Sequence, residues 1–240
     1  MSYIAKKGKA AFESMNAEEK DYSKVLVPFK SGSTYKVRVP SVEDYVEWFA
    51  HSVYGKFFTT PCTKPTGKAD LYDQAVDLLY QDAREAQKAG DEAKAKELRD
   101  QAYSLKAKPR YLFGFFNLED GAEIIVDLTR AQARAVVAAI EEYAQQINQF
   151  AFKLTKTGTG TATQVSLAPI ISGLSDTERE HFEATAGKEF DESLYGKVLQ
   201  INSEEKQIED LRKFGFDVSR LGVGEAVQPV ADVGEDDFPF

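Results

Sequence analysis

One cysteine, two histidines and one tryptophan stand in 240 residues, and each scarcity excludes something. A single thiol, Cys62, cannot form an internal disulfide, which fits a reducing compartment, and it rules out a four-cysteine zinc site. No apolar run reaches the roughly 18 residues that a membrane helix needs. The start, Met1-Ser2-Tyr3-Ile4-Ala5-Lys6-Lys7, lacks the apolar stretch of a signal peptide, so the expected location is the cytoplasm, with no membrane partner. Hydrolytic chemistry is poorly supplied. His51 and His181 lie far apart, and Cys62, eleven residues after His51, has no evident group to orient a Cys–His pair. Gly158-Thr-Gly160 has no third glycine and no following Gly-Lys-Ser/Thr, so neither phosphate-loop pattern is met, and a hairpin turn explains it. The acidic pairs Glu141-Glu142 and Asp236-Asp237 fall on a helix surface and in a tail, so no carboxylate set for a two-metal nuclease can be named. The chain is read as non-catalytic, with no cofactor and no metal ligands.

What is present is unevenly distributed. The net charge is −9, but residues 1–170 carry 23 Lys/Arg against 22 Asp/Glu, whereas residues 171–240 carry 7 against 17. The acidity is local to the C-terminal part, and the body is nearly neutral with basic segments. From Glu225 on there are five acids and no Lys or Arg, and the chain ends Asp236-Asp237-Phe238-Pro239-Phe240. An exposed phenylalanine gains nothing from water. An acidic run closed by Phe-Pro-Phe and a carboxylate therefore reads as a docking peptide, its acids steering it to a basic rim while the last ring fills an apolar pocket.

Periodicity sets out the rest. Residues 1–20 (Lys6, Lys7 and Lys9, then acids and alanines) read as a flexible basic arm. Val25, Val27 and Phe29 alternate, Ser31-Gly32-Ser33 turns, and Tyr35, Val37 and Val39 alternate with Lys36 and Arg38, which predicts a hairpin with a cationic outer face. Tyr45 to Phe58 is an extended aromatic stretch holding Trp48, Phe49, Tyr54 and Phe57. Residues 70–106 read as two helices about Gly90-Asp91. Strands return at 110–116 and 123–128. A capping box, Thr129 to Gln132, then opens an amphipathic helix, and a last hairpin turns at 158–160. Ser175 and Ser203 open two further helices within an acidic extension, 171–224, before the disordered tail at 225–240. The predicted class is mainly β with helical insertions (α+β), an OB-like small barrel at 21–170 carrying the αα-hairpin.

Aromatic and basic residues interleave on the predicted strands, the mixture that single-stranded nucleic acid requires: cations follow the phosphates while rings stack on bases. Lys36, Arg38, Lys56, Arg110, Lys153 and Lys156 are the phosphate candidates. Trp48, Tyr54, Phe57, Tyr111 and Phe113 are the stacking candidates, with about half of all such rings expected in the core.

Lys36-Val-Arg38-Val, the aromatic stretch to His51, Thr60-Pro-Cys62, Arg110-Tyr-Leu-Phe-Gly-Phe-Phe-Asn117, the capped helix at Thr129, Phe152-Lys-Leu-Thr-Lys-Thr-Gly158-Thr-Gly160 and the acidic tip occur in an order that resembles the tailed-phage single-stranded DNA-binding proteins. The resemblance runs from about Tyr22 to Ile170. It implies an OB core that coats single-stranded DNA in phage DNA replication, recombination and repair, in the host cytoplasm. It also implies a basic arm that supports self-association on DNA, and a tip (Asp236, Asp237, Phe238, Pro239, Phe240) that recruits replication and recombination proteins. Some members bind zinc through a histidine and cysteines. His51 and Cys62 sit where the first two ligands fall, but Tyr72 and Ala75 lie near where further cysteines would be, so the resemblance implies no complete zinc set, with the helical hairpin as the clamp instead. The alternative is an interaction adaptor whose tail docks a partner and whose rings are core.

Overall fold

The structure is a computed structural model that describes residue 22 and residues 24–223; the arm at 1–20 and the tail with its tip at 225–240 lie outside the described residues. The described residues form seven strands and six α-helices, an α+β protein with an antiparallel sheet. The strands are β1 (Thr34–Arg38), β2 (Tyr45–Val53), β3 (Phe57–Pro61), β4 (Lys108–Asn117), β5 (Glu123–Thr129), β6 (Ala151–Thr157) and β7 (Gln164–Ile170). Their order is β3-β2-β4-β1-β6-β7, with β5 on β4, and among the described residues the sheet does not close. The helices are α1 (Leu71–Lys88), α2 (Glu92–Leu105), α3 (Arg130–Glu142), α4 (Asp176–Ala184), α5 (Ser193–Lys197) and α6 (Glu204–Phe214). Among the described residues no helix is long and apolar enough to cross a membrane.

The chain divides into two compact units. One comprises Tyr111–Val198 with the chain up to Val46, the other Glu47–Arg110 with the chain from Leu199 on.

In the first unit, Val37 and Val39 meet Phe113, Phe115, Phe152 and Leu154 in a core closed by Val136 and Ile140 of α3. The capping box at Thr129 starts α3 as its sequence predicts, with Gln132 reaching back to the Thr129 N–H (3.1 Å). The last hairpin also forms, β6 on β7, with Leu154 opposite Leu167. The first predicted hairpin does not. Pro28 has no N–H to give a ladder, and the segment before it makes only an isolated parallel bridge, Leu26 with Ile125. β1 pairs instead with β4 and β6.

β4 overturns a second expectation. From Leu112 to Asn117 its alternation leaves no solvent face: Phe113 and Phe115 lie in the core, while Phe116 packs edge-on against Phe190 (6.4 Å). Gly114 lies under that cover, where a Cβ would come within 2.7 Å of the Phe190 ring and the Tyr195 hydroxyl. That hydroxyl donates to the Asp44 carbonyl (2.7 Å). Gly114→Ala is expected to cost about 1–3 kcal/mol by overpacking, read as a lower denaturant midpoint at unchanged slope. An unchanged midpoint would mean that Phe190 swings away freely.

In the second unit α1 and α2 form the expected αα-hairpin, turning at Gly90 with φ 83°. Leu71, Ala75 and Leu79 pack with Ala102, Leu105 and Leu211. Tyr72 is fully buried, and its hydroxyl donates to Asp210 (2.9 Å). The aromatic stretch, predicted as one extended segment, is two strands, β2 and β3, turned at Tyr54-Gly55-Lys56, with Gly55 at φ 73°.

Candidate nucleic-acid interface

Among the described residues, the tip of the β2–β3 hairpin carries the most exposed rings of the second unit. A turn this tight needs positive φ, which Gly55 supplies, and it projects its neighbours into solvent. Tyr54 is 105% exposed and Phe58 95%, with Lys56 also exposed between them. Phe57, next in sequence, points the other way and stacks on Tyr72 (5.2 Å between centroids, 16° between planes). The hairpin thus sorts the three candidates Tyr54, Lys56 and Phe57 into a free ring, a cation and a structural ring, and it adds Phe58, which sequence reasoning left out of the stacking set. A concavity of about 700 Å³ beside them is lined also by Asn202, Lys206 and Lys213. Lys206 pairs with Glu209 and Asp210, and Lys213 with Glu209. Trp48, on the same hairpin, is half-buried, and its indole N–H is buried without a hydrogen-bond partner.

In the first unit, Lys36 and Lys153 are direct cross-strand neighbours on β1 and β6. Lys153 is exposed, whereas Lys36 is held by Glu178 of α4 (2.7 Å). Ser175 caps α4, its hydroxyl accepting from the Glu178 N–H (3.2 Å), and the Ser175 N–H and Lys36 together hold the Glu178 carboxyl below the usual range, Lys36 having the larger effect. Arg38 is not on an outer face. It is 3% exposed, its guanidinium donates to the Phe182 carbonyl (2.9 Å) and the Asn148 carbonyl (3.3 Å), and it lies 4.3 Å from the Phe182 ring centroid. Burial lowers its pKa from the ordinary arginine value. The cationic face expected of β1 is therefore covered by α4, which the sequence placed in a separate extension. Phe113 is fully buried and stacks on Tyr45 (5.0 Å), so the structure makes it core and not a stacking ring. Lys156 donates to the Phe29 carbonyl (2.9 Å).

Tyr111 is half-buried, and with Tyr45 it lines a concavity of about 440 Å³ edged by Arg130 and Arg134 of α3. Sequence reasoning passed over those two arginines. Their i, i+4 spacing just after a capping box was the available signal, because it puts both on one exposed face of a helix start. Arg110 is half-buried on β4.

A second constellation lies in the interior of the second unit, around His51. His51 (β2), Cys62 (just after β3), Asp70 (N-cap of α1) and Asp73 (first turn of α1) are all buried, with their donor atoms within 4.8 Å of one another. Nδ1 of His51 donates to the Leu105 carbonyl (2.9 Å). Nε2 faces Asp70 Oδ1 (3.4 Å) and Asp73 Oδ1 (3.8 Å) and has no hydrogen-bond partner. The Cys62 thiol donates to Asp73 (3.2 Å), and burial first, then the nearby carboxylates, push its pKa up to about 12. Tyr72 and Ala75, the positions where the resemblance would place cysteines, are both core. The residues that face His51 and Cys62 are Asp70 and Asp73, which a search for soft ligands passes over.

Compared with known proteins, the chain matches no family model, and the search of curated proteins found no match.

Proposed function

We propose that this protein binds and coats single-stranded DNA without strong sequence preference, as a non-catalytic component of phage DNA replication and recombination. The observation that carries this reading is the hairpin tip, where Tyr54 and Phe58 stand almost wholly in solvent on either side of Lys56. A folded chain gains nothing by exposing two large rings together, whereas a strand of bases stacks on them whatever its sequence. Lys56 and Lys153 supply phosphate contacts, with Arg130 and Arg134 as additions and Lys36 in exchange with Glu178. Trp48, Arg110, Tyr111 and Lys156 complete the proposed set. Phe57 and Phe113 act as supports. The open seven-stranded sheet is read as a variant of the OB-like architecture, and the acidic tip as the recruiting element for replication proteins, with self-association on DNA through the arm.

Salt dependence tests this. For single strands log K falls against log salt with a slope of about −0.7 per phosphate neutralised. Lys56→Ala and Lys153→Ala should each flatten the slope by about 0.7. Unchanged slopes in both variants would remove these lysines from any phosphate contact. The adaptor reading has support of its own: Phe113 is core and Arg38 is covered, so part of the aromatic and basic pattern serves the fold. It predicts no oligonucleotide binding at all.

A further inference from the structure

We propose that the concavity beside the β2–β3 hairpin is a subsite for one unstacked nucleobase with an exocyclic amine, and that Asp210 selects such a base against thymine. The inference rests on the single-stranded DNA reading and deepens it. Coating stays tolerant of sequence, and this one subsite adds a modest preference for cytosine, adenine or guanine.

The carboxylate makes the first argument. Asp210 of α6 is only 1% exposed, and its two oxygens are unequally provided for. Oδ2 accepts from the Tyr72 hydroxyl (2.9 Å) and from the Asn202 side-chain amide (3.2 Å). Among the described residues Oδ1 accepts no hydrogen bond. Lys206 Nζ stands 3.0 Å from it as an ion-pair partner, without the alignment of a hydrogen bond. A carboxylate oxygen has room for two donors, and a buried one is normally satisfied, so Oδ1 keeps capacity for a ligand. Asp210 and Lys206 both line the concavity, which places that capacity at its wall.

The rest of the lining makes the second. Tyr54, Lys56 and Phe58 border the same space, and its volume of about 700 Å³ falls within the 300–1,000 Å³ or so of small-ligand pockets. A base laid on one of the exposed rings can turn its edge toward Asp210 while Lys56 takes a flanking phosphate. All of these residues belong to the second unit. Tyr72 and Asn202 hold the carboxylate in place beforehand, so binding need not order it.

Recession selects the base. Oδ1 has almost no accessible surface, so only a donor that projects from its ring can reach it. The exocyclic amines of cytosine, adenine and guanine project in this way. In cytosine and adenine an accepting ring nitrogen lies beside the amine, where the Lys206 ammonium can donate to it. Thymine has no amine. Its N3–H is set back between two carbonyl oxygens, which meet the carboxylate first and are repelled by it.

The test uses the full chain and labelled strands followed by anisotropy, at mildly alkaline pH so that cytosine stays neutral. The strands are oligo(dT), an alternating dT/dC strand of equal length, and that strand with N4,N4-dimethylcytosine in place of cytosine. The alternating strand should bind about fivefold more tightly than oligo(dT). Dimethylation removes both amine hydrogens and keeps the ring, so it should return affinity to the oligo(dT) level. In Asp210→Asn the donors from Tyr72 and Asn202 keep the amide oxygen at the Oδ2 position and turn its NH₂ to the concavity. That variant, folded by circular dichroism, should lose the preference for dC. Equal binding of the three strands by the native chain would overturn the proposal and leave DNA coating standing, as would a preference that survives dimethylation. Binding of none of them would remove the coating reading, and this proposal with it.

Discussion

Replacing Tyr54 and Phe58 together by alanine should weaken binding to oligo(dT) by about a thousandfold while leaving thermal stability almost unchanged. Each stacked base is worth about 1–3 kcal/mol, so two rings account for roughly 4 kcal/mol, and each 1.4 kcal/mol is tenfold in affinity. Stability should not follow, because both side chains are already in solvent and no core contact is lost. The partner change, Phe57→Ala, should behave in the opposite way. That ring stacks on Tyr72, so its loss leaves a cavity and costs several kcal/mol of stability. A titration monitored by anisotropy of a labelled oligonucleotide, paired with a thermal melt, separates the two. If the double variant binds as tightly as the parent, the exposed rings have another purpose.

Arg38→Ala should give the second-largest effect, and on stability instead of on binding. The guanidinium is buried and donates to two backbone carbonyls, Phe182 and Asn148, while lying over the Phe182 ring. Its removal leaves those acceptors in the interior without donors and opens space beneath α4. The expected cost is about 3 kcal/mol, or roughly 6–12 °C in Tm for a chain of this size. Arg38→Lys should recover only part of it, since a single ammonium cannot reproduce the planar fork. The salt slope of DNA binding should stay where it was. A stable variant with a flattened slope would instead return Arg38 to the phosphate-binding set.

Local signals were legible in the sequence. The capping boxes at Thr129 and Ser175, the αα-hairpin about Gly90 and the β6–β7 turn all appear where residue chemistry places them. Each depends on neighbours within a few positions. The errors arise where a distant segment decides the outcome. Lys36 and Arg38 alternate with valines as an outward face should, and only the arrival of α4, some 140 residues later, turns that face inward. β4 fails likewise, because residues 190 and 195 cover the side that alternation left open. The turn at Gly55 was hidden by the aromatic run around it, which reads as one long strand. Asp70 and Asp73 escaped notice for a different reason. Their role near His51 and Cys62 depends on the first turn of α1 lying against the β2–β3 hairpin, which no spacing rule supplies.

The central claim is that single-stranded DNA lies along the hairpin that also carries the sole tryptophan. The most direct measurement is Trp48 fluorescence during titration with oligo(dT), then with duplex of equal length, at two salt concentrations. The account predicts a change with the single strand that weakens at higher salt, with little response to duplex. No response to either, with a labelled oligonucleotide also remaining unbound, would contradict it.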